Sequence, residues 1–204
     1  MIKNGFNTFM QSKAVRTLKP LLSALAIVLI LKWTGALSGI SYLTTSAIMQ
    51  TGIMNASADT SLALKDKEFD YNFSVFDLEG NTIDFKTFKG KTIFLNLWAT
   101  WCGPCRVEMP SIQELYTKVD TSKVVFVMLS IDVRENSSKI SKFVEEKKYT
   151  FPVYRAGDYL PEVLQVNTIP TTFVVSADGK ILSKKVGAAN YDTTKFLKFL
   201  QGEK

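Results

Sequence analysis

Residues 92–105 read TIFLNLWATWCGPC. The first seven, Thr92 to Trp98, are apolar on both faces of an extended chain, which marks a central strand covered on both sides. Cys102-Gly103-Pro104-Cys105 follows, and then a helical pattern with Ile112, Leu115, Tyr116 and Val119 on one face. Pro110 is expected to kink that helix. The two cysteines thus fall where a buried strand ends and a helix begins. A thiolate there is stabilised by unpaired backbone N–H groups and by the helix dipole. A two-residue spacer brings both sulfurs within disulfide reach. Cys102, nearer the helix end and solvent, is expected to attack first, and Cys105, one turn in, to be buried and to resolve the mixed disulfide. Pro104 removes an N–H, and the Gly-Pro pair tunes the redox potential.

Working outward, Glu68–Phe76 alternates through Phe69, Tyr71, Phe73 and Val75 and predicts a half-buried strand. A turn at Glu79-Gly80-Asn81 returns it through Thr82–Phe85, an N-terminal hairpin. Val124–Ile131 reads as a second buried strand, Ser138–Lys148 as an amphipathic helix, Phe151–Tyr154 as a short strand and Tyr159–Gln165 as a short helix. Thr171–Val175 and Ile181–Val186 form a hairpin about Ala177-Asp178-Gly179-Lys180, and Asp192 is expected to cap a final helix carrying Phe196, Leu197 and Leu200. This order predicts an α/β fold, a mixed central sheet flanked by helices, over residues 66–204.

The composition narrows the chemistry. The 204 residues hold two cysteines and no histidine. Histidine-based acid–base catalysis, Ser-His-Asp and Cys-His arrangements are therefore excluded, and no metal or cofactor site is expected. The net charge of +6 is uneven. Lys3, Lys13, Arg16, Lys19 and Lys32 are unbalanced by any acidic residue before Asp59, which leaves 20 of the 25 basic residues against 19 acidic ones in the rest. The body is thus near neutral and offers nothing to nucleic acid.

Residues 1–20 read as a basic cytoplasmic leader, 21–43 as a transmembrane signal anchor built on LLSALAIVLIL, and 44–65 as a tether. Lys32 can snorkel beside Trp33. A cleaved leader competes with this reading; its one small-residue site, Ala56-Ser57-Ala58, lies far beyond the apolar core. Basic residues before the span predict a cytoplasmic N-terminus and a body outside the cytoplasm.

Two further features weigh against a merely structural disulfide: Trp98-Ala99-Thr100-Trp101 before the pair, and Thr168-Ile169-Pro170-Thr171 just before a strand. WATWCGPC followed by TIPTTFVV resembles the thioredoxin superfamily. CRVEMP and the TIDFKTFKGKTIFLNLWATWC lead-in resemble its membrane-anchored TlpA/ResA-like branch. The resemblance implies a thioredoxin-like fold and a cis-proline at Pro170 facing the cysteines. It also implies substrate contacts from Trp101, Gly103, Pro104, Thr168, Ile169 and Pro170, with the Thr168–Ile169 backbone pairing with the substrate chain. The buried Asp of cytoplasmic thioredoxin corresponds here to Asn96, which cannot shuttle a proton. Glu108, three residues after Cys105, is the replacement expected to handle protons.

The function expected is therefore a monomeric, single-pass thiol–disulfide oxidoreductase of a bacterial cytoplasmic (inner) membrane, its domain facing the periplasm or exterior. The resemblance implies that it reduces disulfide-bearing proteins, apocytochrome c among them, with electrons from a DsbD/CcdA-like membrane thiol carrier. Two alternatives are a thiol peroxidase, disfavoured because Ala99 stands three residues before Cys102 where such enzymes place Thr, and a tethered non-catalytic binding or chaperone module.

Overall fold

The computed structural model describes residues 13–33, 48, 52, 54–56, 67–133 and 136–202. The chain divides into two compact units, Met1–Thr44 and Thr45–Lys204.

In the first unit, α1 spans Lys13–Trp33 with Pro20 inside it. Its apolar side chains Leu21, Leu22, Leu25, Ile27, Val28, Leu29 and Ile30 are all more than half exposed. Among the described residues, no helix is long and apolar enough to cross a membrane. The span expected over 21–43 runs beyond Trp33 into residues 34–43, outside the described ones.

The second unit is built on a seven-stranded mixed sheet of order β2-β1-β5-β4-β3-β6-β7. Its strands are β1 Ser74–Phe76, β2 Thr82–Asp84, β3 Thr92–Trp98, β4 Val124–Ser130, β5 Val153–Ala156, β6 Thr171–Val175 and β7 Ile181–Val186. β3, β4 and β5 are parallel neighbours, and the remaining pairs are antiparallel. The helices are α2 Gly103–Lys118, α3 Ser137–Lys147 and α4 Thr194–Gln201. Side chains alternate across a strand, so β3 splits its residues between two cores. Phe94 and Trp98 join Met109, Ile112 and Leu115 of α2, Ile140 of α3, and Phe196 and Leu200 of α4. Ile93, Leu95 and Leu97 face Phe69, Tyr71, Phe73, Val75 and Phe85. The three helices thus share one face, and the aromatic N-terminal segment covers the other.

Several boundaries differ from the sequence expectations. Of the strand expected over Glu68–Phe76, Ser74–Phe76 form β1 and Glu68 makes an isolated antiparallel bridge with Lys180, the Phe69 N–H donating to the Gly179 carbonyl at 2.8 Å; Phe69, Tyr71 and Phe73 are buried in alternation. The Asp70 carboxylate accepts from the Asn72 N–H at 2.8 Å, and the Phe73 N–H turns back to the Tyr71 carbonyl at 2.9 Å. Over Asp70–Phe73, between that bridge and β1, these local bonds take the place of a ladder. β2 stops at Asp84, whose side chain caps a 3-10 turn over Phe85–Phe88. The helix expected over Tyr159–Gln165 is only a 3-10 turn, Glu162–Leu164, because Pro161 at its cap disfavours helix in the residue before it. β5 begins two residues later than expected and β4 ends one residue earlier. α3 starts and ends one residue earlier than expected, with Lys148 in the left-handed region at φ 56°. Thr193, not Asp192, caps α4, accepting from the Phe196 N–H at 3.1 Å. Asp192 instead pairs with Lys118.

Candidate active site

β3 delivers the chain to the sheet end where α2 begins. Cys102 is the helix cap: its sulfur accepts from the Cys105 N–H at 3.2 Å, and its own N–H returns to the Ala99 carbonyl at 3.1 Å. Cys102 and Cys105 are joined in a disulfide, with Cα atoms 5.3 Å apart. Cys105 is fully buried, whereas Cys102 retains 5% exposure, and Trp101, Gly103 and Pro104 around it are exposed. Trp101, at 68%, stands in solvent; Trp98 is the packing residue, against Phe143. β6 runs antiparallel to β3 with Leu97 opposite Thr171, so the residues preceding β6 lie at the end from which β3 enters α2. The Ile169–Pro170 peptide is cis. Pro170 is buried, Thr168 is exposed, and Ile169 packs against the core that contains both cysteines.

One turn beyond Cys105, Glu108 points into that same core and is fully buried. Asn96 shares its strand face with Phe94 and Trp98 and therefore looks at α2. Its amide donates to Glu108 Oε1 at 2.7 Å and to Thr172 Oγ1 at 2.9 Å, Thr172 being its cross-strand partner. Tyr191 donates its hydroxyl proton to the same Thr172 oxygen at 2.6 Å. The second carboxylate oxygen of Glu108 accepts from the Ala189 N–H at 3.1 Å. Burial pushes the Glu108 carboxyl up to about 8, although the Asn96 and Ala189 bonds pull the other way. Burial, then the neighbouring Glu108 charge, raises the Tyr191 phenol well above its ordinary value. The arrangement places a thiol pair at a helix tip with a carboxyl behind it that can change protonation near neutrality.

The Redoxin family profile matches residues 65–198. The chain belongs to the Redoxin family. It is similar to "Thiol-disulfide oxidoreductase ResA" of Bacillus cereus, at 40% identity over 117 residues, 57% of this chain and 66% of that relative. The ResA of Halalkalibacterium halodurans is 32% identical over 142 residues, 69% of this chain and 79% of the relative. The chain thus spans just under two thirds of the length of the Bacillus relatives and more of the Halalkalibacterium one. Among solved structures, StoA from Bacillus subtilis aligns with TM-score 0.50 and 28% identity, covering 60% of this chain and 92% of that one. The thioredoxin domain of a thiol-disulfide oxidoreductase from Bacteroides vulgatus aligns with TM-score 0.56 and 25% identity, covering 70% and 98%. With these relatives, the Redoxin domain here is a ResA-like thioredoxin-superfamily protein.

Sequence reasoning missed several residues of this Redoxin site. Asp132, nearly buried, accepts from the Thr100 N–H at 2.7 Å, the Thr100 hydroxyl at 2.8 Å and the Ser130 hydroxyl at 2.8 Å. The Ile131 N–H donates to the Trp98 carbonyl at 2.9 Å. The turn between β3 and Cys102 is therefore clamped to the end of β4. Thr172, Ala189 and Tyr191 were missed for a related reason: they join the hydrogen-bonded cluster of Asn96 and Glu108 from 64 or more positions beyond Glu108 in the chain. The one legible signal was the Thr172 position, because TIPTTFVV places it two residues past Pro170.

Proposed function

We propose that this chain is a thiol–disulfide oxidoreductase acting outside the cytoplasm, reducing disulfides of other proteins through Cys102 and Cys105. The observation that carries this reading is the disulfide at the tip of α2 with Glu108 buried one turn behind it. In the reduced protein the Cys102 thiolate attacks a substrate disulfide. One substrate sulfur leaves as a thiolate and takes up a proton, and a mixed disulfide remains on Cys102. Glu108 then takes the proton of Cys105. The Cys105 thiolate attacks the Cys102 sulfur, the second substrate sulfur leaves and is protonated, and the Cys102–Cys105 disulfide is restored. Two electrons have passed to the substrate, and a membrane thiol carrier of the DsbD/CcdA kind returns them to the chain. Trp101, Gly103, Pro104, Thr168, Ile169 and Pro170 form the surface against which the substrate chain lies.

The reductive direction is supported by the Gly-Pro spacer, and apocytochrome c is the substrate class that the ResA likeness favours. Anchoring by residues 21–43 is supported by the exposed apolar side chains of α1 and by the unbalanced basic residues before them. Trapping tests the function. Full-length Cys105→Ser, expressed in the bacterium, is expected to accumulate mixed disulfides on Cys102 with extracytoplasmic proteins. Absence of any adduct, or adducts equally abundant in Cys102→Ser/Cys105→Ser, would contradict it.

A further inference from the structure

Met54, Asn55 and Ala56 lie far from the cysteines in sequence, within the segment expected to be only a tether. Asn55 nevertheless forms a parallel bridge with Asn190. The Asn190 N–H donates to the Met54 carbonyl and the Ala56 N–H to the Asn190 carbonyl, each at 2.8 Å. The Asn190 side chain donates to Asn55 Oδ1 at 3.2 Å. Ala56 is buried in the core that contains Cys102, Cys105, Ala189 and Tyr191. The residue next to Asn190 is Ala189, whose N–H is the backbone donor to Glu108. On its other side the loop is held by the Gly187 N–H on the Pro170 carbonyl at 2.9 Å. Both backbone groups of Asn190 are thus spent on the 54–56 segment, and Ala189 sits between that anchor and Pro170.

We infer that Met54–Ala56 is a positioning strap of the active site, holding the 187–192 loop so that the Ala189 N–H stays on Glu108. This rests on the proton-handling role given to Glu108 above. A strap of backbone bonds is suited to the task because it fixes the position of an amide without adding charge to a buried carboxyl. The other titratable groups around Glu108 among the described residues are Tyr191 on the same loop, the Cys102–Cys105 pair on α2, and the exposed Asp192–Lys118 ion pair at the loop's end. Asn96 and Thr172, which complete its surroundings from β3 and β6, do not titrate. Loss of the Ala189 bond removes a donor that favours the ionised carboxylate, so the Glu108 midpoint must move to higher pH.

The test uses the reduced full-length chain and reads the rate of Cys102 alkylation by iodoacetamide against pH. The Glu108-dependent part of the profile is the difference between the unmodified chain and Glu108→Gln. Ala56→Pro deletes the Ala56 donor and is expected to displace that part upward by about one pH unit, the scale of one hydrogen bond to a charged acceptor. In a Glu108→Gln background Ala56→Pro is expected to change nothing, as a double-mutant cycle requires of an effect that runs through Glu108. The strap is overturned if Ala56→Pro leaves the profile in place while Glu108→Gln alters it, or if it shifts both backgrounds alike. If Glu108→Gln itself changes nothing, the proton-handling role falls and the strap's role falls with it. A measurement without mutation guards against a misfolded variant. In the unmodified chain the Ala56 and Ala189 amides are expected to show comparable protection from hydrogen exchange. Free-peptide exchange at Ala56 beside a protected Ala189 overturns the inference.

Discussion

Glu108 is held by two donors, the Asn96 amide and the Ala189 N–H, and among the described residues no cation pairs with it. Neither donor repays the removal of a carboxylate from water, and the group is protonated well above the usual carboxyl range. The consequence for stability has a definite sign. A carboxyl whose folded value is raised contributes stability that is full below its unfolded value and is lost as pH rises through the folded one. The oxidised chain, whose cysteines do not titrate, is therefore expected to lose stability from about pH 4.5 to about pH 8. Chemical denaturation at a series of pH values checks this. Glu108→Gln should abolish the loss and be the more stable form at the alkaline end. A midpoint that does not vary with pH in the unmodified chain would mean Glu108 is solvated. Glu108 was legible in the sequence only as a substitute, from Asn96 in a position where thioredoxin has Asp. That the two side chains touch follows from strand and helix periodicity. The Ala189 donor does not follow, since nothing in the spacing brings residue 189 to residue 108.

At the scale of elements, the turn from β3 into α2 decides how Cys102 is presented. Asp132 supplies both carboxylate oxygens to it, taking the Thr100 N–H and hydroxyl and the Ser130 hydroxyl. Asp132→Ala removes both acceptor oxygens and leaves the Thr100 N–H without its partner. It is expected to cost ~1–3 kcal/mol of stability and to slow reduction of a model protein disulfide about tenfold through misplacement of the nucleophile. Denaturation and a turbidimetric insulin-reduction assay measure the two effects, and unaltered reduction would show the turn to be held without Asp132. The strands β3, β4, β6 and β7 were legible because unbroken apolar runs and a four-residue turn leave little choice of register. The Glu68–Phe76 segment was less legible. Its alternation correctly reports burial, but between the Glu68–Lys180 bridge and β1 the Asp70 carboxylate and the Tyr71 carbonyl take the Asn72 and Phe73 N–H groups, and the ladder is interrupted there. The failed helix at Tyr159–Gln165 was readable in hindsight from Pro161.

For the whole molecule, one sheet carries two unlike cores: a helical side that buries the redox pair and Glu108, and an aromatic side built by the N-terminal segment. The sheet order itself was beyond sequence reading, because β1 and β2 attach at the far edge from β3 and only β5 links them to the parallel strands. The proposed anchor is tested at this scale. Full-length chain in bacterial membranes is expected to resist alkaline carbonate extraction. Leu25→Arg with Val28→Arg, at roughly 3 kcal/mol of insertion cost each, should release it. Extraction of the unmodified chain would remove the anchor from the account. The most direct test of the central claim is differential alkylation of the reduced, folded chain, read by peptide mass spectrometry. Cys102 should be modified at neutral pH while Cys105 stays protected until the chain is denatured. Equal labelling of the two, or none at either until unfolding, would contradict it.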